Sequence, residues 1–305
     1  MKIKVLLGGN SAEREVSIHT GLAVIEAIQD YHDVESVYID SDISALPSKL
    51  FDADIVFNAL HGGIGENGDL QAFLDLYHIP YIGSGAKASK LAMDKHLTKT
   101  ISNSINVPTP TWINLTKNKN GKIRLDKKLA KKINYPCVVK PSDGGSSVGM
   151  TIVKMAEDIE KAIAFAADYS DDIMIEAFIP GREITVGIID GKVLPIVEIV
   201  PTHTYYDYEC KYTQGMSKYV CPAKISPTLT KKIQKDAVKI YEQLGCRHYA
   251  RVDFRLDDKN QHYLLEANTL PGLTSTSLLP KAAKEVGLSY PNLVETLIKI
   301  GLNEK

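Results

Sequence analysis

Short apolar runs and segments with helical spacing alternate over the first third of the chain. In chain order they occupy residues 3–7, 13–30, 34–39, 54–59, 69–78 and 81–83. The run at 54–59 is almost continuously apolar, as expected for a strand that is buried on both faces of a sheet. Alternation of strands and helices in this way predicts a parallel, doubly wound sheet.

The pattern changes near Ser84, where a helix predicted at 89–103 leads into prolines at 108 and 110. These prolines indicate an extended crossing and a domain boundary. Further strands are predicted at 137–140, 151–154, 173–176, 183–189 and 193–200, helices at 156–168 and 229–244, and loops at 116–132 and 202–220, the former with a surface helix. A hairpin and two helices complete the chain. We therefore expect three domains, at residues 1–92, 93–182 and 183–305.

Composition excludes several classes of function. The net charge of −1 gives no electrostatic support for a nucleic-acid partner. No segment approaches the ~20 apolar residues that span a bilayer, and the apolar run at 5–7 is too short for a signal peptide. The four cysteines form no CxxC pair and show no zinc spacing, so we expect reduced, mostly buried thiols. These features predict a cytoplasmic protein with no membrane contact.

A predicted antiparallel hairpin near the C-terminus carries the most informative side chains. Strand-like segments at 249–255 and 263–268 flank a turn cluster rich in Asp and Asn. With the turn centred in that cluster, Asp253 lies opposite Glu266, and facing side chains are about 5 Å apart at Cβ. Two carboxylates that close repel unless one is protonated or a cation lies between them. With Asn268 they predict an all-oxygen Mg²⁺ site, although a polar, solvent-exposed sheet face would show the same residues.

An apolar strand ending at Lys140 leads directly into a loop rich in glycine and serine, KPSDGGSSVG at 140–149. Lysine offers a point charge to phosphate oxygens, and the loop offers backbone N–H groups with glycine freedom. The segment matches neither a Walker A loop nor GxGxxG. Alone it would fit a plain turn equally well; beside the acidic hairpin it favours a nucleotide site.

Two further loops have both a ligand-binding and a structural interpretation. Residues 8–17 lie between the first strand and first helix, where Glu13 and Glu15 fit either a ligand ammonium or charge matching at the helix N-terminus. Residues 268–278 offer hydroxyl and N–H groups to a carboxylate, or simply lead into a capped helix. His61 stands out among the histidines because it follows a buried strand and precedes two glycines.

Eight ordered segments resemble the ATP-grasp superfamily and, within it, the D-alanine–D-alanine ligase family. They are GGNSAEREVS, LHGGIGENGDLQ, MDK, KPSDGGSSVGM, PGREITVGI, YDYECKY, ARVDF and LLEANTLPGLTSTSL. The resemblance implies an α/β ATP-grasp fold, with an N-terminal parallel doubly wound (preATP-grasp) domain and two α+β lobes that sandwich ATP. It implies ATP-dependent ligation of two D-alanines through D-alanyl phosphate, for peptidoglycan precursor synthesis, by a homodimer that associates through the N-terminal lobe.

The nucleotide-binding set implied by the resemblance comprises Lys95, Lys140, Ser147, Glu176, Phe178, Ile179, Glu183 and Lys211. Within it the lysines would hold phosphates, Glu183 would bond the ribose, and Glu176 with the 178–179 backbone would contact adenine. Asp253, Glu266 and Asn268 would hold two Mg²⁺ ions, which Mn²⁺ can replace.

The catalytic and substrate set implied by the resemblance comprises Glu13, His61, Ser146, Tyr212, Arg251, Gly272, Ser277 and Leu278. Glu13 would orient the first ammonium, and Arg251 with the Gly272 N–H would stabilise the oxyanion. Ser277 and Leu278 would receive the second carboxylate. Tyr212 would bond with Glu13 and Ser146 on closure of the 202–220 loop, and His61 would lie near the substrates.

Some positions depart from the family pattern or limit it. Thr276 stands where many members carry histidine, and Cys210 would place a thiol beside the site. Tyr212 stands where relatives that make D-alanyl-D-lactate tend to carry phenylalanine, which favours an amine acceptor. Two alternatives remain: another ATP-grasp dipeptide ligase, and a non-catalytic nucleotide-binding protein. A dehydrogenase is disfavoured because the loop after the first strand does not match GxGxxG. The segment GIGENG at 63–68 has that spacing, but no Asp or Glu follows it at 76–93, where a dinucleotide site needs an acidic residue.

Overall fold

The computed structural model describes residues 1–40, 46–203, 213 and 215–303, which include three β-sheets. The strands are β1 Lys2–Gly8, β2 Asp33–Ile39, β3 Ile55–Asn58, β4 Tyr81–Ile82, β5 Trp112–Thr116, β6 Cys137–Pro141, β7 Thr151–Val153, β8 Asp172–Ala177, β9 Arg182–Ile189, β10 Lys192–Val193, β11 Val197–Pro201, β12 Ser217–Val220, β13 Tyr249–Leu256 and β14 His262–Asn268. The α-helices of the described residues are α1 Arg14–Ile28, α2 Leu46–Leu50, α3 Asp69–Leu76, α4 Ala86–Met93, α5 Lys95–Ser104, α6 Lys127–Ala130, α7 Ile159–Ala167, α8 Pro227–Leu244, α9 Leu278–Glu285 and α10 Tyr290–Leu302. Short 3-10 helices lie at Gly63–Gly65 and Ala156–Asp158.

The first sheet is parallel throughout, with strand order β2-β1-β3-β4. Alternate residues of β1 enter two separate cores: Val5 and Leu7 pack with α1 and α10, whereas Leu6 packs with α2 and α3. A strand covered on both faces favours consecutive apolar side chains, which explains the apolar run at residues 5–7 of β1. The predicted parallel, doubly wound arrangement is confirmed.

The second sheet is antiparallel, in the order β5-β8-β6-β7, and α7 packs against it. Its strand β5 was not predicted. The sequence WINLT mixes polar and apolar residues, and β5 pairs only with β8, so it lies at the sheet edge. Edge strands carry fewer apolar residues than central strands, so the hydrophobic pattern did not predict a strand at 112–116.

The third sheet is antiparallel, in the order β12-β11-β9-β13-β14, with β10 paired to β9. Helix α8 packs on one of its faces. In the β13–β14 hairpin Asp253 pairs with Glu266 and Arg251 with Asn268. The predicted register is confirmed, and it fixes the spacing of the proposed metal ligands.

Three predicted elements were wrong in extent. The helix predicted at 89–103 is two helices, because Asp94 takes an extended conformation (φ −80°, ψ 102°) and its carboxylate caps α5 at the Leu97 N–H. The strand predicted at 193–200 is divided into β10 and β11. Residues 217–220 of the predicted loop form β12. The sheets comprise residues 2–82, 112–177 and 182–268, and the domain boundaries after residues 92 and 182 stay a prediction.

Two sequence-level expectations concern cysteines and membranes. Cys137 and Cys246 are buried free thiols and Cys221 is a half-buried one; Cys210 lies outside the described residues. In the part of the chain that the structure describes, no helix combines the length and apolar character needed to cross a bilayer.

Candidate active site

Two adjoining cavities lie between the sheets. The larger, about 780 Å³, is lined by Glu13, His61, Lys95, Ser146, Arg251, Glu266, Asn268, Gly272, Ser277 and Leu278 among others. The smaller, about 120 Å³, is lined by Lys95, Lys140, Ser146, Ser147, Glu176, Phe178, Ile179, Glu183 and Glu266 among others. Nearly all predicted site residues are thus brought together. Asp253 lines neither cavity, and Lys211 and Tyr212 lie outside the described residues.

A buried ion cluster forms one wall of the smaller cavity. Glu176 is paired through Oε1 with Lys140 Nζ at 2.5 Å and through Oε2 with Lys99 Nζ at 2.8 Å. Lys99 has no exposed surface, and its Nζ also donates to Thr109 Oγ1 (2.8 Å) and the Pro110 carbonyl (3.1 Å). Lys99 was not predicted as a site residue; its spacing from Lys95, one turn along α5, was the available signal.

Charge in this cluster is set by burial and pairing together. Burial opposes ionisation of Glu176, but Lys140 and Lys99 outweigh it and lower the pKa of that carboxyl to about 2. Burial lowers the pKa of Lys99 to about 8, although Glu176 opposes the shift. The carboxylate is therefore held ionised, and it faces lysines from two different elements.

Arg255 fixes the segment that connects the second and third sheets. Its guanidinium donates to the carbonyls of Ile179 (3.1 Å) and Gly181 (2.7 Å) and lies 3.4 Å from Glu183. It follows Arg251 and Asp253 at strand period two but was not singled out in the sequence. The backbone at 178–179 and the Glu183 carboxylate are thus held at the edge of the smaller cavity.

Lys95 lies where the two cavities meet. It is the first residue of α5, its side chain is buried, and its Nζ donates to the Gly144 carbonyl at 2.5 Å. The same Nζ is 3.3 Å from Glu266 Oε2. The cation therefore connects the glycine–serine loop to the hairpin, at the boundary of the two cavities.

The hairpin carboxylates are paired with cations in this arrangement. Arg251 forms a bidentate pair with Asp253 (Nε–Oδ1 2.9 Å, Nη2–Oδ2 2.8 Å), and Thr185 donates to Asp253 Oδ1 at 2.5 Å. Asn268 Oδ1 accepts from the Leu270 N–H, at 2.9 Å. Within the described ranges, no three His, Cys, Asp or Glu side chains are grouped so as to hold a metal by themselves. Two carboxylates and an amide oxygen nevertheless suit Mg²⁺ that shares its remaining positions with phosphate and water.

The glycine–serine loop at 140–149 contacts the loop at 8–13, which follows β1. Ser146 Oγ donates to the Glu13 carboxylate. Ser146 and Ser147 both have positive φ, of 49° and 60°, a conformation that costs non-glycine residues energy and occurs at ligand-binding sites. A Cβ atom at Gly145 would lie 3.1 Å from Glu13 Oε2, so a larger residue there would require the Glu13 carboxylate to shift by a few tenths of an ångström.

His61 is buried within a chain of hydrogen-bonding groups. Its Nε2 lies 3.0 Å from Thr20 Oγ1, and its Nδ1 lies 3.1 Å from Glu66 Oε1. Thr20 and Glu66 also line the larger cavity and were missed in the sequence. They come from different loops and helices, so no spacing rule connects them. The two contacts fix the ring orientation at the cavity wall.

The far end of the larger cavity is rich in hydroxyl groups. Ser277 precedes α9, and its Oγ accepts from the Thr274 N–H at 3.1 Å and lies 2.8 Å from Thr274 Oγ1. Thr276, where the family pattern often has histidine, also lines the cavity. Gly272, Ser277 and Leu278 therefore lie together at the end of the larger cavity, and their binding of a carboxylate stays a prediction.

Two known proteins similar to this chain over nearly its whole length are D-alanine–D-alanine ligases. Residues 101–299 match the family model described as D-ala D-ala ligase C-terminus, and residues 41–84 match D-ala D-ala ligase N-terminus. A D-alanine–D-alanine ligase of Carboxydothermus hydrogenoformans is 40% identical, covering 99% of this chain and 98% of its own; one of Aquifex aeolicus is 41% identical, covering 98% and 100%.

Solved structures show the same likeness. A Bacillus anthracis D-alanine–D-alanine ligase complexed with ATP has a TM-score of 0.87 at 34% identity, covering 100% of this chain and 97% of its own. The VanG D-Ala:D-Ser ligase of Enterococcus faecalis has a TM-score of 0.85 at 28% identity, covering 98% and 99%. The matched models, the identity over the full length and the shared fold together show that this chain belongs to the D-alanine–D-alanine ligase family of ATP-grasp proteins.

Proposed function

We propose that this protein joins two D-alanines into D-alanyl-D-alanine at the expense of ATP, for peptidoglycan precursor synthesis. The observation that supports it most is the junction of the two cavities. Lys95, the 144–146 loop and Glu266 line both, so a nucleotide in the smaller cavity would direct its phosphates at an amino acid in the larger one.

The reaction follows from the chemistry of a carboxylate, which is a poor acyl donor because oxide would have to leave. The terminal phosphoryl group of ATP is transferred to a carboxylate oxygen of the first D-alanine, and ADP leaves. The free amine of the second D-alanine then attacks the acyl carbon. The tetrahedral species collapses with loss of phosphate, and an amide bond remains.

Several side chains would neutralise the anionic oxygens. Lys95 and Lys140 hold phosphate oxygens, and Arg251 with the Gly272 N–H faces the oxyanion. The bidentate contact with Asp253 fixes the guanidinium plane of Arg251. Asp253, Glu266 and Asn268 are the residues that would hold two Mg²⁺ ions, or Mn²⁺ in their place; bound there, the metal supplies further positive charge to the phosphates.

The positions of side chains around the two cavities support the contacts proposed for the remaining ligand groups. Phe178, Ile179 and Glu183 line the smaller cavity and would contact the adenine and ribose, with Ser147 covering the nucleotide. Glu176 lies beside them, where its carboxylate also anchors Lys140. In the larger cavity Glu13 would orient the ammonium of the first D-alanine, with His61 close to the substrates.

The acceptor is proposed to be an amine. Ser277 and Leu278 would receive the carboxylate of the second D-alanine. Tyr212 would bond with Glu13 and Ser146, and Lys211 would approach the γ-phosphate, as the 202–220 loop excludes water. We expect Tyr212→Phe to loosen selectivity against D-lactate. Unchanged ratios of D-alanyl-D-alanine to D-alanyl-D-lactate across pH would contradict this assignment.

We further propose that the protein works as a homodimer in the cytosol, where ATP is supplied. The surface that supports association carries Phe51, Phe73, Leu76 and Tyr77 on the first lobe. Phe51 and Leu76 are 66% and 75% exposed. Contiguous exposed apolar side chains of this size are typical of association surfaces.

The test of the ligase function combines purified protein, ATP and Mg²⁺ with single D- or L-amino acids. We expect phosphate release with D-alanine and a product with the mass of D-alanyl-D-alanine. Glu266→Gln is the loss-of-function control. No phosphate release with D-alanine would overturn the proposal, and release with L-amino acids alone would indicate a different dipeptide ligase.

A further inference from the structure

Among the described residues, three Lys and Arg side chains line the larger cavity, and two of them have a carboxylate partner. Lys95 is paired with Glu266, and Arg251 with Asp253. The third, Lys281, has no carboxylate oxygen within 4.0 Å in the described part of the chain. Its Nζ instead lies 5.2 Å from the centroid of the Tyr219 ring, which also lines the cavity. The cavity therefore contains a cation whose charge no described carboxylate balances.

Lys281 is placed beside Ser277 by the geometry of α9. Its N–H donates to the Ser277 carbonyl at 3.0 Å, one helical turn earlier. Side chains four residues apart lie on the same helix face, so Lys281 and Ser277 face the cavity together. Burial, and then the charge of Lys284, lowers the pKa of Lys281. An anion beside Nζ would offset this destabilisation of the ammonium.

We propose that Lys281 is a binding residue for the α-carboxylate of the acceptor amino acid. The inference rests on the proposed ligase function and extends it, because it names a determinant of acceptor choice. A charged contact at this position favours acceptors that carry a free carboxylate over those that do not. Ser277 supplies hydrogen bonding to the same group, whereas Lys281 supplies its opposite charge.

The test uses two acceptors with the full-length enzyme and saturating ATP. D-Alanine carries a carboxylate, whereas D-alaninamide does not and cannot be phosphorylated as a donor. With D-alanine as donor, the two products are resolved by mass. Lys281→Met removes the cation, and Lys284→Met is the matched control, because Lys284 is an exposed lysine on the same helix that does not line the cavity.

We expect Lys281→Met to raise the KM for D-alanine as acceptor about tenfold, equivalent to about 1.4 kcal/mol. The kcat with D-alanine, the KM for ATP and the turnover of D-alaninamide should stay near wild-type values, and Lys281→Arg should restore most of the acceptor affinity. Lys284→Met should leave the ratio between the two acceptors unchanged.

The inference is wrong if Lys281→Met and Lys284→Met give equal acceptor KM values. It is also wrong if Lys281→Met lowers the turnover of both acceptors by the same factor, since a packing role on Tyr219 predicts that result. If the methionine variant does not fold, Lys281→Gln replaces it: glutamine keeps a polar side chain, one atom shorter than lysine, and removes the charge, so the ratio of the two acceptor KM values is measured with that variant. A wild-type protein that makes no dipeptide from D-alanine would refute the ligase function itself.

Discussion

At the scale of single residues, the buried Glu176 carboxylate links charge to stability. Its pKa in the folded protein, about 2, lies below the ordinary value of 4.5. The unfolded chain therefore binds the proton first as pH falls. The stabilising contribution is complete above about pH 4.5 and is lost as pH falls towards 2. We expect Glu176→Gln to be less stable than wild type at pH 7, with the difference narrowing below pH 4.5. Urea unfolding at several pH values measures it, and a constant difference would contradict the lowered pKa.

Lys99 gives a second residue-scale prediction. Removing one partner of a buried ion pair leaves the other charge uncompensated and costs about 3–5 kcal/mol. We expect Lys99→Met to lose stability in that range and to raise the KM for ATP more than that for D-alanine, because Glu176 also anchors Lys140. Lys90→Met, on the exposed face of α4, is the control. Equal unfolding free energies for the two variants would refute this role of Lys99.

At the scale of elements, the break between α4 and α5 positions a functional lysine. Asp94 caps α5, and the next residue is Lys95. Loss of a capping side chain costs about 0.5–2 kcal/mol. We expect Asp94→Ala to lower stability by that amount and to raise the KM for ATP. Asp126→Ala is the matched control, since Asp126 caps α6 and lines neither cavity. If both variants leave the KM for ATP unchanged, the cap does not position Lys95.

Elements with a regular pattern could be predicted from the sequence, and contacts between distant elements could not. The strand β1 was found because two cores cover it, and the β13–β14 register because its turn residues are local. The Thr20–His61 contact depends on packing between the first helix and the loop after β3. The same holds for Lys99 and Glu176, which are 77 residues apart in the chain. The types of the side chains alone do not predict contacts between residues so far apart in the chain.

At the scale of the whole molecule, the C-terminal helix connects the third sheet to the first. Helix α10 follows the third sheet in sequence but packs on the first, where Leu293 and Leu297 join the core that contains Ile55 and Phe57. A Cβ atom at Gly301 would approach Ile55 Cδ1 to 2.9 Å, so glycine allows this close contact. The C-terminal end of the chain thus packs on the first sheet. The larger cavity is lined both by residues near that sheet, such as Glu13 and His61, and by residues of the β13–β14 hairpin.

The exposed apolar surface on the first lobe carries the prediction for assembly. Phe51, Leu76 and Tyr77 form it with Phe73, and the rings of Phe51 and Tyr77 are 6.2 Å apart. If this surface is covered by a second copy, Leu76→Lys places a charge in the interface and should convert the dimer to monomers without loss of fold.

The matched control for the assembly prediction is Phe165→Lys, at the exposed Phe165–Tyr169 ring pair on the second sheet's helix side. Sedimentation at micromolar concentration measures the mass of each variant. We expect a dimer for wild type and Phe165→Lys, and a monomer for Leu76→Lys. A monomeric wild type would refute the homodimer. If Leu76→Lys stays dimeric and Phe165→Lys is monomeric, the interface lies at the second sheet and not on the first lobe. In that case only the charge introduced at Phe165 would disrupt the dimer.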